Sequence, residues 1–303
     1  MKESIGFIGI GIMGEGMAAN ILAQGFKLTI YDLVTSKFNN LVQNGANVAD
    51  SPAELAGASD VVILCVPDEA AVNKALLGPG GVMEGVRPGT LIIDMSTISP
   101  NDSFQNAEKL AEKGFTMLDA PVSGSREGAV DATLSIMVGG SEASFKRALP
   151  IFETMGKNIV HVGLRCGDGQ TVKLVNQLLA AGHTLIMSEA LLFAQAGGVD
   201  LEKTLEAVTA GAAGSWMLTN RAPQVIQRDW RPGFTIDLQL KSVAAVLKAA
   251  DTFGVPVPMT AQLYQYYRTL QKAGLGQEGH HALVKALEKL SGIKIGTKIP
   301  DIE

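Results

Sequence analysis

Through the first half of the chain, short β-branched and apolar runs alternate with stretches whose apolar positions recur every three or four residues. The runs lie at 5–8, 28–31, 61–66, 91–94, 116–118, 134–138 and 159–162. Helix-period stretches occupy 13–24, 52–56, 68–77, 101–113 and 142–155 between them. This alternation predicts strand–helix–strand units in a mainly parallel sheet, doubly wound with helices. The last links are shorter, so the sheet is predicted to finish with antiparallel strands. After about Gly163 the strand pattern stops. Helical patterns then run at 168–196, 200–209, 215–228, 237–253, 259–273 and 279–290, with Gly197, Gly254, Gly274 and Gly292 as predicted stops. The fold class is α/β, an N-terminal domain at 1–164 followed by an all-α domain at 165–303, with glycine-rich GLRCGDG at the junction.

Composition narrows the possible functions. A chain of 303 residues with 47% hydrophobic and 18% charged positions can bury two cores and is not a disordered polymer. The net charge of −5, without any Lys/Arg cluster interleaved with aromatics, argues against a nucleic-acid partner. Cys65 and Cys166 do not make a disulfide framework, which fits a reducing compartment. Lys2 precedes an apolar run, but four glycines interrupt it and Glu3 and Glu15 flank it wrongly for a signal peptide. No stretch of some eighteen uninterrupted apolar residues follows. The expectation is a cytoplasmic protein without a membrane partner.

The first chemical signal is IGFIGIGIMGEGMAANIL. Gly9, Gly11 and Gly14 form G-x-G-x-x-G after a strand and at the opening of a helix. The first glycine permits a tight turn, the second a close approach to pyrophosphate, and the third close helix–strand packing. The free N–H groups of the helix start then face the phosphates. Alone the pattern is a tight turn. Asp32, ending the second strand eighteen residues beyond Gly14, raises it to a dinucleotide site. A carboxylate there accepts both ribose hydroxyls and repels a 2′-phosphate, which favours NAD over NADP. Thr35, Ser36 and Lys37 nearby form a rival phosphate set.

Other turns follow strand ends, where ligands lie in doubly wound sheets. CVPD carries Val66 and Pro67, DMSTISP offers Ser96 and Thr97, and LDAPVSGS ends in Ser123, Gly124 and Ser125. Hydroxyls and backbone N–H groups in the last turn can bind a carboxylate. Any one of these is more simply a turn; three in one sheet predict a shared pocket.

GDGQTVKLVNQLLAAGH opens a helix that is apolar or small on nearly every side, yet Lys173, Asn176 and Gln177 share one face. An unpartnered buried cation costs several kcal/mol, so that face is either wet or functional. At a domain junction it can line a cleft. Lys173 there can give a proton to a carbonyl oxygen as hydride arrives, with Asn176 and Gln177 holding the substrate. The alternative is a lysine snorkelling to solvent. The four histidines lack metal-ligand spacing, so no metal is expected. His183 is read as core or surface, Trp216 and Phe234 as pocket wall or plain core, and Tyr264, Tyr266 and Tyr267 as helix packing.

Together these segments resemble the β-hydroxyacid dehydrogenase family over nearly the whole chain. GFIGIGIMGEGMAAN is similar to its cofactor signature, with Ile10 in place of the usual leucine. DAPVSGS is similar to its substrate segment, which commonly reads SGG, so Ser125 departs. GDGQTVKLVNQ is similar to its catalytic segment, with Lys173 at the lysine position. PGFTIDLQLK resembles its C-terminal segment, but the usual Lys-Asp is here Lys241-Ser242. The resemblance implies Lys173 and Asn176 as catalytic residues. It implies Ser123, Gly124, Ser125, Gln177 and Phe234 at the substrate. At the cofactor it implies Gly9, Ile10, Gly11, Ile12, Met13, Gly14, Asp32, Val66, Pro67, Thr97 and Lys241.

Asn176-Gln177 and GLGQEGHHAL resemble the branch that reduces 2-hydroxy-3-oxopropionate (tartronate semialdehyde) to glycerate, whereas SWM at 215–217 is similar to the threonate dehydrogenases. The 6-phosphogluconate dehydrogenases fit less well: they are longer and carry histidine where Asn176 stands. The expectation is an NAD-dependent, Rossmann-type oxidoreductase acting on a small β-hydroxy carboxylate, with 3-hydroxyisobutyrate, L-threonate and 4-hydroxybutyrate as alternative substrates. The family implies a homodimer or homotetramer. The alternative of another class is a non-catalytic NAD-binding sensor, which would need the dinucleotide turn but not Lys173, Asn176 and the Ser123–Ser125 turn.

Overall fold

The computed structural model describes residues 2–296. The chain forms two compact units, Met1–Lys173 and Leu174–Glu303.

The first unit holds nine strands: β1 (Ser4–Ile8), β2 (Lys27–Tyr31), β3 (Asn47–Val48), β4 (Val61–Leu64), β5 (Leu91–Asp94), β6 (Thr116–Asp119), β7 (Val122–Ser123), β8 (Leu134–Gly139) and β9 (Gly156–Gly163). Their order is β3-β2-β1-β4-β5-β6-β8-β7, with β9 on β8. The pairs from β3 to β6 are parallel, and β8 runs antiparallel to β6 and β7. The antiparallel finish is therefore only partial, because β9 returns parallel to β8. The eleven-residue helix Glu142–Phe152 between them is long enough to make the crossover.

Side chains alternate across the sheet, and both faces are covered. Ile5, Phe7, Val61, Ile63, Leu91 and Ile93 enter one core; Ile8, Val62, Leu64 and Ile92 enter the other. Burial on both faces is why these strands read as unbroken apolar runs. β4 ends at Leu64, two residues before the predicted 66, because the Val66 N–H leaves the ladder for the Ser96 hydroxyl, at 3.0 Å. Caps set the helix starts: Asp68 caps Glu69–Leu77, and Ser99 caps Pro100–Ala111 with Pro100 in the first turn.

The second unit is helical, with Leu201–Thr209, Trp216–Ile226, Ile236–Phe253, Pro258–Lys272 and Val284–Ser291 following the long helix Asp168–Ala196. Gly254 and Gly292 take left-handed conformations as predicted stops, whereas Gly198, not Gly197, does so after the long helix. That long helix starts in the first unit and continues in the second. Its first residues bond to the sheet, so the first compact unit extends through Lys173. By length and composition this helix could cross a membrane, and half of its apolar stretch is buried inside the protein.

Candidate active site

The glycine turn sits where β1 passes into helix Gly14–Ala23. Gly9 has φ +100°, and a Cβ there would lie 2.2 Å from the Cys65 carbonyl oxygen. A Cβ on Gly14 would meet the Gly9 carbonyl oxygen at 2.0 Å. A Cβ on Gly11 would meet nothing within 4 Å. Packing therefore requires the first and third glycines, while the second faces open space of the kind a pyrophosphate needs. No side chain caps the helix at Met13. Ile12 is exposed; Ile10 is buried in the core.

Asp32 is held in place: its carboxylate accepts the N–H of Ile10 at 2.8 Å and of Val34 at 2.8 Å. Lys37 Nζ stands 3.4 Å away. An open turn, an uncapped helix start and an oriented acid fit the pyrophosphate and ribose of a dinucleotide. Half-buried Val66 and Thr97 and exposed Pro67 continue this end of the sheet along β4 and β5.

Beneath it lies a polar network that sequence reasoning missed. Asp94 and Asp119 are adjacent in register at the ends of β5 and β6, and both are fully buried. Asp94 Oδ1 accepts the Ser96 N–H at 2.9 Å, and Asp119 Oδ2 accepts the Gln170 N–H at 2.7 Å. The second oxygen of each carboxyl has no hydrogen-bond partner among the described residues. Burial pushes Asp94 up to about 6 against the opposing bonds from Ser96. Burial likewise pushes Asp119 up to about 7, with Asp94 adding to the rise and the Gln170 N–H opposing it. The available signal was an acid closing each of two apolar runs, LIID and TMLD.

Lys173 lies one turn past Gln170 on the same helix. It is 7% exposed and has no ion-pair or hydrogen-bond partner among the described residues. Burial pushes its pKa down to about 8. A lysine so placed exchanges its proton near neutrality.

At Ser123–Ser125, Ser123 is half-buried on β7, and Gly124 has φ +145°. Ser125 is a left-handed non-glycine residue with φ 60°, and its hydroxyl donates to the Glu127 carboxylate. That hydroxyl, expected to face substrate, is engaged locally.

In the second unit, the Asn176 Nδ2 donates to Gln177 Oε1 at 3.0 Å, and Gln177 Nε2 donates to the Ser242 hydroxyl at 2.9 Å. Gln177, expected at the substrate, is buried and bridges its neighbours on both sides. Lys241 is exposed on helix Ile236–Phe253. Phe234 is half-buried, edge-on to His280 with centroids 6.1 Å apart. Trp216 is exposed with the Arg221 guanidinium over its ring, and His183 is exposed. Tyr267 is core, its hydroxyl donating to the His280 carbonyl at 3.0 Å. No group of three or more His, Cys, Asp or Glu among the described residues could hold a metal ion.

Comparison with known proteins places this arrangement. A profile described as the NAD binding domain of 6-phosphogluconate dehydrogenase matches residues 4–163. A second, described as NAD-binding of NADP-dependent 3-hydroxyisobutyrate dehydrogenase, matches residues 167–287. The 2-hydroxy-3-oxopropionate reductase of Escherichia coli (strain K12) is 39% identical over 96% of this chain and 99% of its own. The 2-(hydroxymethyl)glutarate dehydrogenase of Eubacterium barkeri is 37% identical over 97% of this chain and 99% of its own. The structure of Mycobacterium tuberculosis 3-hydroxyisobutyrate dehydrogenase with L-serine superposes with a TM-score of 0.88 at 29% identity, covering 95% of this chain and 99% of that one. The chain belongs to the β-hydroxyacid dehydrogenase family. It is an NAD(P)-dependent oxidoreductase acting on CH–OH groups, built from a Rossmann domain followed by a helical domain.

Proposed function

We propose that this enzyme reduces 2-hydroxy-3-oxopropionate to glycerate with NADH and runs the reverse oxidation with NAD. The observation that carries the reading is Lys173, a buried and unpartnered lysine whose pKa is pushed down to about 8. The dinucleotide supplies the hydride. Lys173 Nζ gives its proton to the carbonyl oxygen in reduction and takes the alcohol proton in oxidation. Asn176, on the same helix face, holds the reacting oxygen, and the Gln177 bridge fixes the Asn176 amide. Ser123 and the backbone of Gly124 and Ser125 take the substrate carboxylate. Phe234 is assigned to the substrate and Lys241 to the cofactor.

Asp32 favours NAD, because its anchored carboxylate matches ribose hydroxyls and repels a 2′-phosphate. Thr97, Val66, Pro67 and the 9–14 turn complete the cofactor set. We read the protein as soluble, cytoplasmic and homo-oligomeric. A second reading takes a longer acid, since a relative named for 2-(hydroxymethyl)glutarate is nearly as similar.

The test is a steady-state panel with both dinucleotides. The substrates are 2-hydroxy-3-oxopropionate, methylmalonate semialdehyde, succinic semialdehyde and neutral glycolaldehyde, with L-threonate and 2-(hydroxymethyl)glutarate for the oxidation. A neutral aldehyde leaves the carboxylate donors of the site unpaired, at a cost of about 1–3 kcal/mol. The kcat/KM for 2-hydroxy-3-oxopropionate is therefore expected to exceed that for glycolaldehyde by roughly 10- to 100-fold with NADH. Ser123→Ala should narrow that gap. Equal rates on acidic and neutral aldehydes overturn the carboxylate site, another acid at the top of the panel overturns the substrate, and no turnover at all supports the sensor.

A further inference from the structure

We propose that Gln170 is a positioning residue that fixes Lys173 against the loop after β5; the proposal rests on the proton-transfer role given to Lys173 above. Gln170 is fully buried, and each of its polar groups has a defined partner. Its Oε1 accepts the Ile98 N–H at 3.2 Å, and its Nε2 donates to the Ser96 carbonyl at 2.8 Å. The amide thus clasps the backbone on either side of Thr97. Its own N–H donates to Asp119 Oδ2 at 2.7 Å, pinning the helix start to the end of β6. Ser96 carries the network onward: its hydroxyl accepts the Val66 N–H at 3.0 Å, and its N–H donates to Asp94. One side chain therefore ties the turns after β4 and β5 to the first turn of the helix bearing Lys173.

The anchor is closely packed. A Cβ on Gly169 would lie 2.4 Å from the Met137 carbonyl oxygen, and one on Gly139 would lie 2.3 Å from Asp119 Oδ1. Lys173 follows Gln170 by three residues, close to one helical turn, so fixing residue 170 fixes the Cα from which the lysine extends. Only a side chain with one acceptor and one donor, both on its terminal planar group, meets Ile98 N–H and Ser96 C=O together. An ionised carboxylate sets an acceptor against the Ser96 carbonyl, and an apolar residue strands both backbone groups. A protonated carboxyl restores one donor and one acceptor.

The experiment compares Gln170→Leu, Gln170→Glu and Lys173→Met. The Lys173 pKa is read in the cofactor-free protein by NMR of ¹³Cε-labelled lysine, with Lys173→Met assigning the signal. Thermal midpoint, dinucleotide Kd, kcat and the primary isotope effect with 4-deuterated NADH are measured beside it. In Gln170→Leu the kcat is expected to fall roughly 10- to 100-fold, the effect of small misplacement of a reacting group. The isotope effect should rise, and the Lys173 pKa should move up by about one unit as water reaches it. Dinucleotide Kd should rise by less than kcat falls, since the glycine turn and Asp32 are untouched and only the backbone around Thr97 is freed. Gln170→Glu should regain kcat as the pH is lowered, which keeps the test alive if the leucine variant does not fold. A folded Gln170→Leu with unchanged kcat and Lys173 pKa overturns the proposal. So does a kcat loss that follows the lost folded fraction alone, with the Lys173 signal unmoved. Turnover surviving in Lys173→Met instead overturns the role of the lysine, a result separable from both.

Discussion

At the scale of single residues the decisive balance is at Lys173. Its depressed pKa means that the folded state resists the charged form, while proton donation requires it. In the proposed mechanism reduction depends on the protonated amine, so kcat/KM for reduction is expected to fall as pH rises through about 8, while that for oxidation climbs. Lys173→Met should remove this limb and lower kcat by about 10²–10⁴. The same substitution carries a stability signature. Between about 8 and 10.5 the folded state binds fewer protons than the unfolded chain, so the native lysine destabilises the fold most below pH 8 and less as pH rises. Removing it should stabilise the protein at pH 7 by on the order of 3 kcal/mol, measured by denaturant unfolding. An inactive but less stable methionine variant would count against a buried cation at this position. Ser125 shows a smaller tension of the same kind, a side chain in left-handed backbone where glycine is the easier occupant.

At the scale of elements, helices Asp168–Ala196 and Ile236–Phe253 meet at two kinds of contact. Leu174 packs with Val246 and Ala249, and Gln177 bonds to Ser242. Ser242→Ala should leave the apolar contact intact and cost about 1 kcal/mol of stability, while freeing the Gln177 amide and loosening its hold on Asn176. The expected readout is a several-fold fall in kcat, with dinucleotide affinity unchanged in a fluorescence titration. Unchanged kcat would mean that Asn176 is oriented by other contacts. These elements differed in how well they could be read from sequence. The βαβ half and the long helices were legible because burial on defined faces writes a period into ten or more residues. The glycine turn was legible because only a missing Cβ tolerates 2.0–2.2 Å approaches. Strands of two residues, such as Asn47–Val48 and Val122–Ser123, and short helices such as Ser125–Val130 hold too few positions for any period to emerge. Asp94, Asp119 and Gln170 were invisible for another reason. A buried polar residue is explained by its partners, and theirs lie as many as 74 residues away.

At the scale of the whole molecule, the Asp94–Asp119 pair sets an acid–base property of the fold. Both carboxyls hold their protons to higher pH when folded, Asp94 to about 6 and Asp119 to about 7. The folded state therefore binds more protons than the unfolded chain between about pH 4 and 7, and the pair's contribution to stability declines across that window as pH rises. Asp94→Asn removes one titration, so its stability relative to wild type should improve from about pH 4 to about pH 6 and level off above that. The gain should be on the order of 3 kcal/mol, readable from urea midpoints at each pH. A constant difference across the range would show that the acid is ionised throughout.

The shared helix has a consequence for recombining this enzyme with its relatives. The glycine-rich segment at 163–169 looks like the natural joint between halves, and a designer guided by composition would splice there. Such a chimaera takes Gln170 and Lys173 from one parent and Ser96, Ile98 and Asp119 from the other, splitting a set of matched hydrogen bonds between two lineages. A splice just after Lys173 keeps that set from a single parent, so the unit to inherit whole is the first compact body together with the opening turn of the helix it lends to the second.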